Sequence, residues 1–516
     1  MDDAGQKQGQ VYLVGAGPGN PRLLTLRAVE CLAEADLVIH DRLVPAELLD
    51  YAPRAQRIGV ADLPGAHCDK HERICDLMIE AARAGKTVVR LKGGDPGIFG
   101  RGGEEAAALQ RAGIRFEIVP GVTAALAAAA YAGMPLTDRR YASTLVFVTG
   151  HECASGSQQV NWPALARLPG TLVVYMGLSR LAEIVETLLR HGKPAHTPAA
   201  CVEWAGTARQ VAVDAELHQL PQRVLAAGIR GPAVIVIGEG VRQRAQLGWF
   251  ERLPLFGRRV LVTRPRHQAE EMVRELQCRG ACVHIQPILE IGPPPDPLAV
   301  EQVLDRLEQF DWLVFTSANG VQALVQRLWQ RGGDLRRLGG IRLAAIGKQT
   351  AQALERYSLR ADYVPAEFRS EALAEGLAPL VAGQRVLLAR ADRGREVLAE
   401  QLRPVCQVEQ VAVYSQREIT SLDPQVAELL RAGRLDFVTL TSSNIARAFL
   451  NLLAEAEKAF LGSRVHLVTI SPVTSVTVKE LGFPVAAEAE EYTARGVVEA
   501  VTSLACRLRE AATSIP

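Results

Sequence analysis

The chain has 516 residues, 48% of them hydrophobic and 22% charged, with 58 Lys and Arg against 57 Asp and Glu. At roughly 150 residues per domain the length suggests about three or four domains; the apolar fraction excludes disorder over most of the chain, and a formal net charge of +1 excludes the basic field of a dedicated nucleic-acid binder. No apolar run approaches the roughly 20 residues that span a bilayer, and the opening MDDAGQKQGQ has neither an apolar core nor an Arg-rich amphipathic pattern, so the expectation is a cytoplasmic protein without a membrane.

The first half alternates short β-branched runs with helical stretches. VYLVGA (11–16) reads as a buried strand, a helix over 23–34 follows, and ADLVIHD (35–41) is the second strand. Further strands are expected at RIGVAD (57–62), KTVVRLKGG (86–94), STLVFVTG (143–150), GTLVVYMG (170–177) and PAVIVIGEG (232–240). Continuous apolar runs bounded by glycine indicate strands buried on both faces, as in an α/β sheet. The Ala-rich stretch 123–133 predicts a close-packed helix. The rhythm breaks at VRQRAQLGWFERLPLFG (241–257), where charge, glycine and Pro254 mark the main boundary, with 246–256 as a linker.

The second half alternates too. Its strands are expected at 260–265, 282–288, 312–317, 342–347, 385–391, 408–414, 437–443 and 465–471. DWLVFTSANGV (311–321) and DFVTLTSSNIA (436–446) echo one another, as do 341–354 and 463–478. Such a repeat predicts two doubly wound lobes whose strand ends meet at a shared cleft. PPPDP (293–297) is a turn-rich connector, placed near the crossing between lobes. The nine cysteines are odd in number and scattered, and the lone C-x3-C at Cys278/Cys282 is weak evidence for zinc, so no metal site is expected. Lysine is scarce beside arginine, whose planar fork suits carboxylates and phosphates alike.

Gly15-Ala16-Gly17-Pro18-Gly19 directly follows the first strand. A dinucleotide loop G-x-G-x-x-G is the immediate comparison, but the sixth position is Asn20 and Pro18 lacks an N–H that a pyrophosphate would use. Asp41 does imitate the acidic ribose ligand, which keeps a nicotinamide-dependent dehydrogenase as a rival reading. The loop has company. LKGGDPGIFGRGGEEA (91–106) and VPGVTAALAAAAYAGMPLT (119–137) add glycine-dense turns through which backbone can approach a ligand closely, and neither contains the G-K-[ST] of a phosphate loop.

VGAGPGNPRLLTLRA, IHDRLV, RLKGGDPGIFGRGGEE, PGVTAALAAAAYAGMPLT, YMGL and PAVIVIGEG resemble the uroporphyrinogen-III C-methyltransferases in order and spacing, over about residues 10–245. The resemblance implies a cleft between two α/β subdomains that holds S-adenosylmethionine, and a tetrapyrrole acceptor, uroporphyrinogen III, methylated twice to precorrin-2. By position it implies donor contacts at Pro18, Gly93, Gly94, Asp95, Ile98, Thr123, Ala124, Met176 and Ala205, with Ala233 nearby, and a general base at Asp41, which equally reads as a strand-end cap. It also implies dimerisation through this half. Two positions depart from the pattern. Asp62 stands where the family has a lysine proposed as proton donor, and a carboxylate with a pKa near about 4 cannot act as an ammonium; Lys70 or His67 is a possible substitute, or this half is impaired. Ala205 replaces a glycine, a costly change if the site needs positive φ.

The later strand ends offer Thr263, Arg264, Ser317, Thr350, Arg390, Ser442 and Thr474 as candidate substrate ligands, and each hydroxyl also reads as a helix cap. VLVTRP with QAEEMVRELQCRGACV, DWLVFTSANGV, AAIGKQTAQAL, ADYVPAEFRSEAL and VAVYS resemble uroporphyrinogen-III synthase, over about residues 257–507 of a domain taken as 257–510. That resemblance implies a bilobal α/β fold that closes hydroxymethylbilane, a linear octa-acid, with inversion of ring D and without a cofactor. Tyr414 matches the tyrosine proposed to assist loss of the hydroxyl; packing between lobes is its alternative role. Ser471 stands where the family often has glycine. The product of the second half would be the substrate of the first. The competing expectation is a synthase whose methylase-like half only binds.

Overall fold

The computed structural model describes residues 9–64, 67–151, 160–367, 369–393 and 396–513, without the side chains of 67–69, 267, 512 and 513. The chain divides into two compact units, residues 1–259 with 274–283 and 502–516, and residues 260–273 with 284–501.

The first unit contains two five-stranded sheets. The first is built from β1 (Gln10–Gly15), β2 (Leu37–His40), β3 (Gln56–Gly59), β4 (Thr87–Lys92) and β5 (Arg115–Val119), in the order β3-β2-β4-β1-β5 with every neighbour parallel. Its central strands read as unbroken apolar runs because both faces are covered. Tyr12 and Val14 of β1 pack into one core with Val89 and Leu91 of β4, whereas Val11 and Leu13 pack into the opposite core with Val88.

The second sheet departs from the parallel expectation. It comprises β6 (Leu145–Thr149), β7 (Thr171–Tyr175), β8 (Pro198–Glu203), β9 (Val211–Glu216) and β10 (Ala233–Ile237), in the order β6-β7-β10-β8-β9. Only β6 and β7 pair in parallel; β10 runs antiparallel to β7 and β8, and β9 antiparallel to β8. The reversal between β8 and β9 takes only a short turn, in which Gly206 adopts φ +76°. An apolar run does not carry strand direction.

Residues 246–256 are not a free linker. Helix Arg244–Leu247 and the 3-10 turn Phe250–Arg252 lie against helix Ala124–Ala132. Trp249 Nε1 donates to the Ala130 carbonyl at 2.9 Å, and Phe250 meets the Tyr131 ring edge-on at 4.8 Å. Phe250 and Leu255 are buried, so the apolar residues of this stretch drive it onto the first unit.

The remaining two sheets belong to two lobes: β11 (Arg259–Val262), β12 (Cys282–Ile285), β18 (Phe437–Leu440), β19 (His466–Thr469) and β20 (Ala487–Glu488) form one lobe's sheet, in the order β12-β11-β18-β19-β20. The other lobe's sheet has β13 (Leu289–Gly292), β14 (Trp312–Phe315), β15 (Arg342–Ala345), β16 (Arg385–Ala391) and β17 (Gln407–Glu418), in the order β13-β17-β16-β14-β15. The two lobes keep separate cores. The chain crosses between them at 286–288, just before PPPDP, and again at 419–423, and β13 pairs antiparallel with the far end of β17 and so ties the lobes by a ribbon. PPPDP instead begins the helix Pro297–Asp305, capped by Asp296.

The sequence echo is structural. Ser317 caps helix Ala318–Gln330 at φ −164°, ψ 155°, and Ser442 caps helix Ser443–Leu452 at φ −165°, ψ 158°. Gly347 and Ser471 hold the equivalent places of the next strand–helix units, and both are extended. Ser471 therefore carries no strain in the place of a glycine.

Candidate active sites

The ends of β1, β2, β4 and β5 converge through main chain. Ala16 N donates to the Lys92 carbonyl at 2.7 Å, and Gly17 and Gly94 exchange hydrogen bonds of 3.1 and 2.8 Å, both residues lying at positive φ. A Cβ on Gly121 would stand 2.3 Å from the Gly94 oxygen and 2.8 Å from Gly15 Cα, so only glycine permits this crossing. Asp95 staples the assembly, its carboxylate accepting from the amides of Gly97 at 2.8 Å and Gly121 at 2.9 Å. Gly93 is open by contrast; a Cβ there would meet only Leu43 Cβ, at 3.9 Å.

Beneath this turn lies a charge network not anticipated from sequence. Arg90 and Lys92 are two apart on β4, so both point to one face of the sheet. Both are buried, and Glu105, in the first turn of helix Gly102–Arg111, receives them: Arg90 Nε at 3.1 Å and Lys92 Nζ at 2.8 Å from each oxygen. The Arg90 guanidinium also donates to one oxygen of Asp41, whose other oxygen accepts from the Gly93 amide at 3.2 Å. Burial alone would raise the Asp41 carboxyl, but the charges of Arg90 and Lys92 and these hydrogen bonds outweigh it and hold it below the usual carboxylate range. Burial and the like charge of Arg90 pull the Lys92 ammonium below the ordinary lysine value. Both Asp41 oxygens are thus engaged by the protein, which weakens the comparison with a dehydrogenase ribose ligand. The available signal was a pair of bases alternating inside an apolar strand, followed by Glu104-Glu105.

The other nominated residues surround the same turn. Thr123 is buried before helix Ala124–Ala132 and does not cap it with its side chain; its hydroxyl lies 2.7 Å from Tyr175 OH, which also accepts from the Ala125 amide at 3.1 Å. Ile98, Ala124 and Ala205 pack in one apolar cluster with Tyr175, and the Phe99 ring lies tilted at 53° to the Tyr175 ring with centroids 5.1 Å apart. Tyr175 and Phe99 were missed from sequence, where YMGL reads as a strand end. Met176 is half exposed. Pro18 follows the Gly17–Gly94 bridge. Ala233 pairs with Glu203 and packs on the opposite core of the sheet, so only its backbone faces this way. Ala205 does not need positive φ; that conformation falls on Trp204 (+48°) and Gly206 (+76°), so the alanine is unstrained. Among the described residues, four of the five non-glycine residues at positive φ are Phe99, Arg101, Met176 and Trp204, the kind of local strain that gathers at functional sites. Asp62 closes an exposed 3-10 turn after β3, and Lys70 Nζ donates to the Ala61 carbonyl of that turn at 3.1 Å. His67, the other proposed substitute, has its side chain outside the described residues.

The second unit has a cavity of about 230 Å³ lined by Thr316, Ser317, Arg390, Tyr414 and Gln416 of one lobe and Asn444 of the other. Tyr414 is buried within its lobe's core yet turns its hydroxyl to this cavity, 2.9 Å from Ser317 Oγ. Arg390 is positioned by Gln410 at 2.8 Å and Glu396 at 3.0 Å. Gln268 Nε2 bonds Asn319 Oδ1 across the lobes at 2.6 Å. Burial holds the Arg264 guanidinium below its usual pKa, which Glu271 partly restores. Three of the nominated threonines are buried. Thr263 is fully buried, with its hydroxyl donating to the Thr439 carbonyl at 2.6 Å. Thr350 is buried in the first turn of helix Lys348–Glu355, and Thr474 is buried with its hydroxyl 3.2 Å from Ser471 Oγ. Of the three, Thr263 ties one strand end to another and Thr474 bonds within its own helix start. Among the described residues no group of three or more His, Cys, Asp or Glu is placed to hold a metal, and no helix is long and apolar enough to cross a membrane.

The family described as Tetrapyrrole (Corrin/Porphyrin) Methylases matches residues 10–221, and that described as Uroporphyrinogen-III synthase HemD matches residues 270–499. A porphyrin biosynthesis protein HemD of Ruminiclostridium josui is 34% identical over 495 residues, 95% of each chain. A uroporphyrinogen-III C-methyltransferase of Bacillus subtilis is 39% identical over 352 residues, 68% of this chain and 72% of its own. A siroheme synthase of Chromobacterium violaceum is 50% identical over 247 residues, 48% of this chain; the chain spans about half of that protein, 52% of its length.

Proposed function

Because the chain belongs to the family that fuses a tetrapyrrole methylase to a uroporphyrinogen-III synthase, and is a bifunctional enzyme of tetrapyrrole biosynthesis, we propose that it performs two consecutive steps. The synthase half, 257–510, closes hydroxymethylbilane to uroporphyrinogen III with inversion of ring D and without a cofactor. The methylase half, 10–245, then transfers two methyl groups to that product, giving precorrin-2. The match to a relative along 95% of both chains carries this reading, since it covers both halves in one order.

S-adenosylmethionine is the proposed donor. The open face of Gly93 and the glycine crossings at Gly17, Gly94 and Gly121 fit a ligand gripped by main chain. Pro18, Gly93, Gly94, Asp95, Ile98, Thr123, Ala124, Met176 and Ala205 would hold it, and it would supply an electrophilic methyl on a sulfonium. The protein's share is alignment and exclusion of water, since an electron-rich pyrrole carbon is itself nucleophilic. Asp41, kept ionised by Arg90, is the proposed acceptor of the proton that the methylated carbon loses. Pairing of two chains through this half belongs to the same proposal.

In the synthase half Tyr414 is the proposed donor to the departing hydroxyl. The C–O bond breaks with its electron pair on oxygen, and the pyrrole nitrogen lone pair fills the deficit at carbon. The proton released as the ring regains aromaticity balances the one that completes water.

Asp62 motivates a second reading, a synthase with an impaired methylase half, although Lys70 brings an ammonium to the same turn. Incubating the whole chain with hydroxymethylbilane and methyl-labelled donor separates the two. The expected product is cyclised and carries two labels. Cyclisation without label would leave the second reading standing.

A further inference from the structure

The hydroxyl of Tyr414 does not stand alone. Ser317 Oγ accepts from the Gly320 amide at 3.0 Å, as the N-cap of a 13-residue helix, and lies 2.9 Å from Tyr414 OH. Gln416 Nε2 approaches the same phenol oxygen at 3.5 Å. All three side chains line the cavity between the lobes. Among the described residues Ser317 Oγ has no other acceptor for its proton. Were Tyr414 to donate to Ser317, the serine proton would be left unpaired on a half-buried oxygen, an arrangement that carries a desolvation penalty. The opposite direction satisfies every group. The Gly320 amide donates to Ser317, Ser317 donates to Tyr414, and the phenol proton is released toward the cavity. The positive end of the helix polarises this chain in the same sense, and linked hydrogen bonds of one direction strengthen each other.

We propose that Ser317 is a positioning residue for cyclisation: it takes up the Tyr414 oxygen as acceptor and so aims the Tyr414 proton at the departing hydroxyl, with Gln416 as a weaker second donor. This rests on the reading of Tyr414 as the group that assists departure. It separates Ser317 from its twin Ser442 in the other lobe, whose oxygen caps a helix at the Ile445 amide.

The test is a double-mutant cycle on the whole chain, with hydroxymethylbilane as substrate. Tyr414→Phe is expected to lower kcat for cyclisation about 100-fold. Ser317→Ala is expected to lower it about 10-fold with KM little changed, and Ser317→Thr, which restores both hydroxyl and cap, to recover the rate. In the Tyr414→Phe background, Ser317→Ala should remove nothing more from kcat, because its only route of action is gone. A further 10-fold loss there would mean that Ser317 acts independently, and would overturn the inference while leaving the Tyr414 reading intact. An unchanged kcat for Tyr414→Phe alone would overturn both. Loss of the helix cap is read separately, as a lower melting temperature in both backgrounds, and a cooperative unfolding transition of the second unit, followed by circular dichroism, reports that each variant is folded.

Discussion

The two candidate sites sit at strand ends of α/β sheets, yet they are made of different material. In the first unit the turn after β1, the turn after β4 and the turn after β5 touch through backbone, with Gly15, Gly94 and Gly121 in van der Waals contact and buried ions beneath. In the second unit the cavity is lined by side chains, one of which, Ser317, doubles as a helix cap. A site of the first kind is fragile, because an added methyl group or a missing counter-charge displaces main chain. A site of the second kind is modular, because each hydroxyl can be removed while the strands keep their course.

The largest effect should come from the buried charges. Replacing Glu105 by Gln leaves Arg90 and Lys92 beside each other in a site almost closed to water, and breaking such a group from one side costs about 4 kcal/mol. Chemical denaturation should show the first unit's transition moving to lower denaturant, with methyl transfer lost. Retained stability would mean that Lys92 gives up its proton easily. Gly121→Ala comes next. Its Cβ would overlap the Gly94 oxygen at 2.3 Å, so the crossing must open, at about 3 kcal/mol by the measure of overpacked cores. Methylation should fall with it while cyclisation persists; equal loss of both activities would show that the difference between the two sites is illusory.

Asp41→Asn tests chemistry with a smaller change of structure. Methylation is expected to drop about 100-fold, equivalent to about 2.7 kcal/mol of barrier, and cyclisation to hold. The same variant has a pH signature. The Asp41 carboxyl titrates below its ordinary value of 3.8 in the folded protein, so the unfolded chain takes up the proton first on acidification. Its contribution is complete above pH 3.8 and disappears as the pH falls through the lower, folded value. Unfolding followed down an acid series should therefore be less steep for Asp41→Asn than for the parent in that window, and identical slopes would remove the Arg90–Asp41 pair as a source of stability.

Legibility from sequence followed the same division. β1, β4, β7, β10 and β14 are apolar runs in central positions and were readable as such. β8 and β9 were not: VAVDAE mixes exposed and half-buried residues, and PAACVE is poor in β-branched side chains. The glycine turns were legible because backbone contact leaves glycine as its only solution. The network of Arg90, Lys92 and Glu105 was hidden within a motif whose glycines drew the attention, and Tyr175 within a strand end. In the second unit a small polar residue at a strand end serves equally to cap a helix, to tie one strand to another or to face a ligand. Thr263, Thr350 and Thr474 turned out to lie buried, whereas Ser317 and Arg390 line the cavity, and nothing local in the sequence distinguishes them.

The smallest expected effect isolates that ambiguity. Ser442 and Ser317 share backbone angles within a few degrees and each accepts one amide of its own helix, Ile445 at 3.2 Å and Gly320 at 3.0 Å. Only Ser317 continues to a tyrosine. Ser442→Ala should therefore cost about 1 kcal/mol of stability, the ordinary value of an N-cap, and leave the maximal rate of cyclisation nearly unchanged. Thermal unfolding and steady-state kinetics on the same preparation measure both. A drop in kcat as large as that of Ser317→Ala would give the two lobes equal shares in the chemistry, and the hydroxyls would then act on the substrate directly from both sides of the cavity.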